Sequence, residues 1–549
     1  MGVVVGAGAA SSPAERFAEA WEREDYAAMH AELAPAAAEE HPLESFSALY
    51  ERARTIATID RVLADAPDFE GSSDDEDVAV VPLAIDTTAF GEVDAELTLP
   101  LVDDMVDWTP ELVFPGLEPG ERLDRRTRAP ERAPILAEDG TPLAEGDAGD
   151  RSSPLGEAAL DVAGGFEEAE GEEKSALAAG GFPSDVRVGA GGLEQAFQDR
   201  LAGQPGGELL AVAPGGGEDR TLASAEPAPG APLETTIDPD LQSAAVTALG
   251  GRQGGVAVLD ARDGSVRALA GAAYSAPQPP GSTFKVVTTT AALDSGTAEV
   301  SDRFPVRVSL EIDGRRIKNA EAPCGGSLEQ SFAHSCNSVF APLGVEVGAE
   351  PLTAAAEAYG FNSQPALFDD QATEALDPPA PAMPTSYESE RGLALAAIGE
   401  GAVRTTPLQL ASVAQTVAAE GTRSPTPIVT EEDLLPAAEP VDVTSNDTAR
   451  ALRHFMATVV TEGTAAGAGL TPGEVAGKTG TAELKQGPLR EAGVEVVPSV
   501  DKPLNAWFLA YAPIEKPQLA VAVMMLDAGG DGGSVAAPVA RDVLAAGVK

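Results

Sequence analysis

The sequence predicts a multidomain α+β protein whose C-terminal half is built around one antiparallel sheet. The chain has 549 residues, which is the length of about three or four ordinary domains. Hydrophobic residues make up 43% of it, enough for several packed cores. In the C-terminal half, short strand patterns come first, helical patterns follow, and strand patterns return at the end. This order is typical of an α+β domain.

Residues 1–12 are expected to be disordered or to be the remnant of an anchor. The stretch "MGVVVGAGAASSPAER" contains a short apolar run without a basic flank, which is too short for a secretory signal. It is also far below the roughly 20 residues that span a membrane. We therefore expect an anchor that begins upstream of this start.

Residues 13–121 read as a small α+β unit. The stretch "PAERFAEAWEREDYAAMHAEL" predicts one amphipathic helix with these residues near one face: Phe17, Trp21, Ala28 and Met29. A second helix is expected around 43–56, and two strands are expected in the alternating stretch from 77 to 104. No cluster of polar residues marks a site, so a binding or spacer module is favoured.

Residues 122–231 have a different composition. Arg, Glu, Pro and Gly dominate, and "GFEEAEGEEKSALAAGGF" has little apolar periodicity. We expect extended strands with long exposed loops, in part disordered.

Residues 232–549 are richer in segments that can pack. A helix is expected near 239–249, and an Asp-Gly turn at 263–264 joins two short strands in a hairpin. Helices are expected over much of 326–420. The runs "NAWFLAYAP" and "QLAVAVMMLD" read as antiparallel strands, and "AAPVARDVLAAGVK" reads as a closing helix.

The charge of the chain excludes some partners. Acidic residues number 88 and basic residues 36, for a formal net charge of −52. Such a surface repels nucleic acid and anionic membranes. We expect neither as a partner.

The cysteines and histidines indicate no metal site. The four histidines have no metal-ligand spacing, and the chain lacks a Cys-x-x-Cys pair, so neither a metal nor another cofactor is expected. Cys324 and Cys336 are the two cysteines. They form either a disulfide in an oxidising compartment or two separate buried thiols.

The stretch "PPGSTFKVVTTTAALDSG" holds the first candidate catalytic pair. A helix that begins at Ser282 and ends at Gly296 would place Ser282 and Lys285 one turn apart on one face. They are then either a nucleophile with its base, or a capping serine followed by a solvated lysine. Ser499 and Lys502 show the same spacing, but prolines on both sides prevent a helix there.

Two later triplets favour the catalytic interpretation. "SCN" at 335–337 is the only Ser-x-Asn in the chain, and "KTG" at 478–480 is its only Lys-Thr-Gly. Ser-x-x-Lys, Ser-x-Asn and Lys-Thr-Gly in this order resemble the three motifs of penicillin-binding transpeptidases and serine β-lactamases. The surrounding stretches "LETTIDPDLQSAA", "VAVLDARDGSVRALA" and "TPLQLA" resemble the transpeptidase domain of class B penicillin-binding proteins.

The resemblance extends to most of the chain and implies three domains. Residues 13–121 resemble the NTF2-like domain of methicillin-resistance-type members, and 122–231 resemble the pedestal, or dimerisation, region. Residues 232–549 resemble the transpeptidase domain, a β-lactamase-like antiparallel sheet with a helical subdomain. The chain departs from many relatives in "ERAPILAEDGTPLA", which puts pedestal geometry in question. It departs again at 399–401, where Gly-Glu-Gly replaces Gly-Gln-Gly and puts the pocket floor in question.

The resemblance assigns the acylation chemistry to four residues. Ser282 is the nucleophile and Lys285 its base, which requires a lysine pKa well below about 10.4. Burial and the neighbouring Lys478 would both lower that pKa. Ser335 would relay a proton to the leaving amine, and Asn337 would hold a substrate amide and the Lys285 side chain.

The Lys-Thr-Gly strand is assigned to substrate binding. Lys478, with Thr479 and Thr481, would anchor the terminal carboxylate of a D-alanyl-D-alanine stem peptide. The backbone N–H groups of Ser282 and Thr481 would form the oxyanion hole. Gly480 is expected to let the substrate lie flat against the strand, because it has no Cβ.

The resemblance implies a D,D-transpeptidase that cross-links peptidoglycan and is inhibited by β-lactams. Its partners would be stem peptides and other proteins of cell-wall synthesis, and its location would be extracytoplasmic and membrane-associated. A D,D-carboxypeptidase or β-lactamase would share the same residues but release the acyl-enzyme with water. A β-lactam sensor or inert scaffold is a further alternative, disfavoured because all three motifs are intact.

Overall fold

The computed structural model of the chain describes residues 11–72, 75–215, 217–369, 378–471, 473–483 and 504–548. Most of the N-terminal segment predicted to be disordered or an anchor remnant, and the Ser499–Lys502 pair, lie outside these residues. None of the described helices combines the length and the apolar content that a membrane span requires.

The described residues form helices and strands along the whole chain. In chain order the α-helices are α1 (Pro13–Glu22), α2 (Tyr26–Ala31), α3 (Pro35–Glu40), α4 (Leu43–Ala57), α5 (Leu160–Ala163), α6 (Gly171–Ala179), α7 (Gly192–Ala196), α8 (Gln198–Ala202), α9 (Pro239–Leu249), α10 (Lys285–Asp294), α11 (Leu328–Ala333), α12 (Asn337–Val347), α13 (Ala349–Ala358), α14 (Glu390–Ala396), α15 (Pro407–Ala418), α16 (Asn446–Thr461) and α17 (Ala537–Gly547). The strands are β1 (Ile59–Ala64), β2 (Asp68–Ser72), β3 (Asp75–Thr87), β4 (Gly91–Val102), β5 (Met105–Val106), β6 (Arg122–Arg128), β7 (Ile135–Leu136), β8 (Pro142–Ala144), β9 (Gly165–Glu168), β10 (Arg187–Ala190), β11 (Gly206–Val212), β12 (Arg220–Ala225), β13 (Leu233–Glu234), β14 (Gly254–Asp260), β15 (Val266–Gly271), β16 (Arg303–Arg307), β17 (Ser309–Ile312), β18 (Arg315–Lys318), β19 (Cys324–Ser327), β20 (Thr422–Arg423), β21 (Val441–Asp442), β22 (Ala476–Glu483), β23 (Leu504–Ala512) and β24 (Leu519–Met525).

The N-terminal unit is a sheet packed against helices. β1, β3, β4 and β5 lie side by side in that order, and β2 pairs with β3. α4 and the long β3–β4 hairpin lie where the sequence places a helix and two strands. Its core is aromatic: Trp108 Nε1 donates to the hydroxyl of Tyr50 at 3.1 Å, and both side chains are buried.

The single helix predicted for residues 13–33 is wrong, because the chain forms two helices there. Glu24 adopts the left-handed conformation with φ 56°, which ends α1. The side chain of Asp25 then accepts a hydrogen bond from the backbone of Ala28 at 2.9 Å and caps α2. Of the predicted apolar face, Ala28 is only partly buried, and the others are buried as expected: Phe17, Trp21 and Met29.

The middle unit contains more helix than its composition predicts. β11 pairs with β6 and β12 in an antiparallel sheet, but α5 to α8 intervene, and the prediction of strands and loops alone is wrong. These helices are four to nine residues long, too short for apolar periodicity to show in the sequence. Part of the Arg and Glu content is internal, because the buried Glu194 pairs with Arg132 and Arg151 at 2.8 Å each.

The C-terminal unit is built on a sheet in the order β15-β14-β24-β23-β22, antiparallel throughout. Every residue of β14 and β24 is buried. Since successive residues of a strand point to opposite faces, both faces of the sheet are covered. α9 packs with α17 against the sheet, and α15 packs on its central strands while α16 packs on β22. This arrangement is the predicted α+β domain around one antiparallel sheet.

The predicted helix after Pro279–Pro280 starts later than expected. Residues Gly281–Phe284 form a 3₁₀ turn, and α10 begins at Lys285 and ends at Asp294. Ser282 therefore lies inside a tight turn that precedes the helix, and it is not the capping residue of an α-helix.

Candidate active site

The turn that carries Ser282 packs directly against β22. A Cβ added to Gly281 would lie 2.5 Å from the carbonyl oxygen and 3.0 Å from the amide nitrogen of Thr481. Only a glycine permits this approach. The turn is held on its other side by the hydrogen bond from Gly281 N to Gly399 O, at 2.9 Å. These contacts bring the backbones of the Ser282 turn and of Thr481 together, at the place where the family resemblance predicts the oxyanion hole.

Lys285 lies at the centre of the site and is fully buried. Its Nζ lies 3.0 Å from Ser282 Oγ, 2.7 Å from Asn337 Oδ1 and, on Ser335, 2.8 Å from the carbonyl and 3.0 Å from the hydroxyl. Four oxygens exceed the three hydrogens of an ammonium. A neutral amine can instead accept the proton of the Ser282 hydroxyl while it donates to Asn337 and Ser335. The first two motifs thus meet at one nitrogen.

The Ser-Cys-Asn segment links α11 to α12 in a conformation that is uncommon outside glycine. Ser335 has φ 56°, which turns its carbonyl and its hydroxyl to the same amine. Cys336 is buried and forms a disulfide with Cys324, with 5.4 Å between the two Cα atoms. Of the two alternatives that the sequence left open, the disulfide is the one that the structure contains. It ties the Ser-Cys-Asn segment to β19.

Asn337 is oriented from both sides. Its Nδ2 donates to the carbonyl of Lys318 at 3.0 Å, at the end of β18. Next to it, Asn319 accepts from the backbone N–H of Ser338 at 2.8 Å and donates to the Ser338 hydroxyl at 3.1 Å. Because the amide nitrogen faces Lys318, the amide oxygen faces Lys285. No sequence pattern marked Asn319 as part of the site, since asparagine is common in turns.

Lys478 is fully buried on β22. Its Nζ donates to the carbonyl of Thr479 at 3.0 Å and lies 5.6 Å from the centre of the Phe332 ring. Lys285 Nζ similarly lies 5.5 Å from the ring of Phe340. The aromatic wall behind both amines excludes water from them. On the same strand, Thr479 Oγ1 lies 2.5 Å from Thr464 Oγ1.

Gly480 packs against the turn that carries Ser282. A Cβ at this position would lie 2.6 Å from the carbonyl oxygen of Pro280, 2.9 Å from Thr283 Cγ2 and 3.1 Å from Trp507 Cβ. The missing side chain therefore lets β22 approach the Ser282 turn, and the expectation that it also lets the substrate lie flat against the strand stays a prediction.

Burial disfavours the charged form of both lysines. Burial, and then the positive charge of Lys478, lower the pKa of Lys285 well below its ordinary value. The carboxylate of Glu400 opposes this shift. Burial lowers the pKa of Lys478 to about 7. Burial and Lys478 were both predicted to lower the pKa of Lys285, but the opposing effect of Glu400 was not predicted. The segment Gly399-Glu400-Gly401 was noted only as a departure from the family at the pocket floor.

That floor is in contact with the nucleophile turn. A Cβ at Gly399 would lie 2.0 Å from the carbonyl oxygen of Gly281. The backbone at Gly399 is therefore in direct contact with the backbone of the turn. Arg404, nearby, donates to the carbonyls of Gly401 and Val403 at 2.9 and 2.8 Å. Glu400 thus lies in a segment that contacts the nucleophile turn, and its carboxylate acts on the catalytic lysine.

Three family models match the chain. The model described as "Penicillin binding protein transpeptidase domain" matches residues 254–545, which is more than half of the chain. "Penicillin-binding Protein dimerisation domain" matches 146–235, and "NTF2-like N-terminal transpeptidase domain" matches 9–121. The chain belongs to the penicillin-binding protein transpeptidases. The predicted family and the predicted multidomain α+β fold are confirmed.

Relatives of this penicillin-binding protein include two named enzymes. The chain is 34% identical to the peptidoglycan D,D-transpeptidase PbpA of Mycolicibacterium smegmatis, over 52% of this chain and 58% of that protein. It is 31% identical to PbpA of Mycobacterium tuberculosis, over 64% of this chain and 69% of that protein. These matches confirm the predicted class of enzyme, a penicillin-binding serine transpeptidase.

Solved structures show the same architecture. The penicillin G acyl-enzyme complex of penicillin-binding protein A from M. tuberculosis superposes with a TM-score of 0.58 at 25% identity. The superposition covers 76% of this chain and 100% of that one. A D,D-transpeptidase domain from Eggerthella lenta gives a TM-score of 0.57 at 26% identity and covers 76% of this chain and 98% of that one.

Proposed function

We propose that this protein is a D,D-transpeptidase that cross-links peptidoglycan stem peptides through an acyl-enzyme on Ser282. One observation carries the proposal: a single buried amine, Lys285 Nζ, contacts both Ser282 Oγ and Ser335 Oγ at 3.0 Å. It can therefore serve the nucleophile in one step and the leaving group in another.

Acylation follows from this geometry. Neutral Lys285 accepts the hydroxyl proton of Ser282 as Oγ attacks the carbonyl carbon of the penultimate D-alanine. The negative charge that develops on the carbonyl oxygen is met by the backbone N–H groups of Ser282 and Thr481. The proton then passes from Lys285 through the Ser335 hydroxyl to the departing amine. The peptide C–N bond breaks, D-alanine leaves, and an ester to Ser282 remains.

The terminal carboxylate of the donor is assigned to β22. Lys478 supplies the positive charge when it is protonated, and the hydroxyls of Thr479 and Thr481 supply neutral donors. Thr464 supports this assignment, because its hydroxyl contact fixes the side chain of Thr479. Asn337 remains available for a substrate amide in addition to Lys285.

The acyl-enzyme is resolved by the amine of a second stem peptide. The amine attacks the ester carbonyl carbon, a new amide bond forms, the ester C–O bond breaks, and a proton of the amine returns to Ser282 Oγ through Lys285. β-Lactams would acylate the same serine and block this step. A carboxypeptidase or β-lactamase would use water in place of the amine.

We also infer that the protein works outside the cytoplasmic membrane, together with other proteins of wall synthesis. The Cys324–Cys336 disulfide supports this location, because disulfides persist in oxidising compartments.

The test is a donor–acceptor assay. The protein is supplied with a stem peptide ending in D-alanyl-D-alanine and a second peptide with a free amine, and the products are separated by mass. We expect a cross-linked dimer and one released D-alanine per cross-link. Release of D-alanine without dimer would favour the carboxypeptidase alternative. Rapid release of hydrolysed penicillin would contradict the transpeptidase.

A further inference from the structure

One side of the catalytic centre is formed by three short strands. β16 precedes a hairpin of β17 and β18, and the carbonyl of Lys318 at the end of β18 accepts a hydrogen bond from Asn337 Nδ2 at 3.0 Å. The other end of the Asn337 amide holds Lys285 Nζ at 2.7 Å. A single side chain therefore separates these strands from the catalytic lysine. We name residues 303–318 the basic lip.

The basic lip carries positive charge on a strongly negative protein. Five exposed cations lie within it, and the part of the chain that the structure describes offers none of them an ion-pair partner: Arg303, Arg307, Arg315, Arg316 and Lys318. The lip holds two carboxylates, Glu311 and Asp313, while the chain as a whole has a net charge of −52. Unpaired cations concentrated at one place are therefore a local reversal of the surface charge.

The lip is also apolar on its exposed side. Val306 and Val308 are 62% and 64% exposed, a high value for large apolar side chains. On the hairpin, Glu311 lies opposite Arg316, and Leu310 lies opposite Ile317. Opposite residues share a face, and Ile317 is buried. Arg316 therefore lies on the face turned away from the core.

We propose that the basic lip is the docking surface for the acyl acceptor, an acidic peptide whose carboxylates it holds while the amine of the peptide reaches the ester on Ser282. The proposal rests on the proposed transpeptidation. It assigns the second substrate to the Asn337 side of the site, opposite the strand that carries Lys478.

Charge separation between the two sides supports this assignment. The donor carboxylate is assigned to Lys478 on β22, and every stem peptide that serves as acceptor brings carboxylates of its own. The net charge of the protein repels such a peptide at long range, but this repulsion is screened beyond about 8 Å at physiological salt. Within that distance the unpaired arginines dominate, and the two exposed valines offer contact to alanine methyl groups.

The bond changes are those of the transfer step. The bound amine attacks the ester carbonyl, the ester C–O bond breaks as the amide forms, and the amine proton goes to Ser282 Oγ. The lip takes no part in the bond changes. It raises the local concentration of the amine, which favours transfer over hydrolysis.

The experiment compares two variants with the same change in net charge. Arg307→Gln/Arg316→Gln removes two cations from the lip. Lys174→Gln/Lys516→Gln removes two exposed, unpaired cations elsewhere and is the matched control. Each protein is first acylated with penicillin, and binding of a fluorescent acidic stem peptide, and of the same peptide with its carboxylates amidated, is measured by anisotropy. Transfer to both acceptors is then measured with unblocked protein.

We expect the lip variant to bind the acidic peptide about fivefold more weakly, as for two exposed charge contacts. Transfer to this peptide should fall by a similar factor, while the penicillin acylation rate and transfer to the amidated peptide stay unchanged. The control variant should behave as wild type. Equal loss with the amidated peptide, or no loss with the acidic one, would overturn the proposal.

Two other outcomes separate this proposal from the proposed function. If the acidic peptide binds through the lip but no transfer occurs, docking is supported and the transpeptidase proposal fails. If the two arginines instead mediate binding to phosphatidylglycerol vesicles and the peptide does not bind, the acceptor proposal is overturned and a membrane contact takes its place.

Discussion

Lys285 Nζ and Asn337 Oδ1 lie 2.7 Å apart, although 52 positions separate these residues in the chain. The contact fixes the amine between Ser282 and Ser335 and joins the catalytic turn to the segment that carries the disulfide. It also makes the position of the amine depend on α12 and on β18.

The first prediction concerns Lys478 and pH. Because burial lowers the pKa of Lys478 to about 7, its ammonium is lost as the pH rises through that value. The KM for a donor that ends in a carboxylate should therefore increase above pH 7, by up to about tenfold per pH unit. Steady-state kinetics from pH 6 to 9 would measure this. A donor with a C-terminal amide is the control, and an equal increase for it would contradict the assignment.

The second prediction concerns Glu400. Its carboxylate raises the pKa of Lys285 against the larger effects of burial and of Lys478. In Glu400→Gln that pKa falls further, so the neutral amine persists to lower pH. The acidic limb of the pH profile for penicillin acylation should move to lower pH.

Stopped-flow acylation at several pH values would measure this shift. Glu474→Gln, at an exposed position, is the control for loss of one negative charge. A limb that stays in place or moves to higher pH would show that Glu400 does not act on Lys285. Among the residues that the structure describes, the charged groups that act on Lys285 are Lys478 and Glu400, and Arg404 lies beside Glu400.

The third prediction concerns the disulfide. Reduction, or Cys324→Ala/Cys336→Ala, should lower the free energy of unfolding by about 2–4 kcal/mol. Without the disulfide, the unfolded chain has more conformational freedom. It should also slow penicillin acylation, since Ser335 and Asn337 flank Cys336. Urea unfolding and acylation with and without reductant would test both effects.

The chain contains two cysteines, so the double alanine variant should not respond to reductant. A response in that variant would mean that the reductant acts elsewhere. Full acylation by the reduced protein would show that the segment holds its position without the disulfide.

The fourth prediction concerns Gly480. In Gly480→Ala the new Cβ would meet Pro280 O at 2.6 Å and push the Ser282 turn away from β22. Misplacement of the nucleophile on this scale lowers acylation by about a hundredfold. Gly467→Ala is the matched control, because a Cβ there meets nothing within 4 Å. Acylation by Gly480→Ala at the wild-type rate would show that the close approach is not required.

The three motifs could be combined from the sequence because they are rare and ordered, and the geometry places their side chains together. Other features of the site could not be predicted from a sequence motif. Whether Cys324 and Cys336 were joined depended on how the β19 turn folds back, which spacing alone does not fix. Asn319 acts through a hairpin whose register the sequence did not reveal.

The prediction of local structure was wrong where the conformation of a single residue determined the outcome. The helix from residue 13 onward divides at Glu24 because one residue adopts positive φ, while the apolar period continues on both sides. The start of α10 shifted from Ser282 to Lys285 because a 3₁₀ turn and an α-helix have similar sequence requirements. In the middle unit, buried ion pairs around Glu194 looked like exposed charge.

The most direct test of the catalytic assignment is to locate the penicillin adduct by peptide mass spectrometry. We predict one adduct per chain, on the peptide that contains Ser282, lost in Ser282→Ala and retained in Ser499→Ala, the other serine with a lysine three residues later. An adduct on any other peptide, or one that survives Ser282→Ala, would contradict the central claim that Ser282 is the acylated nucleophile.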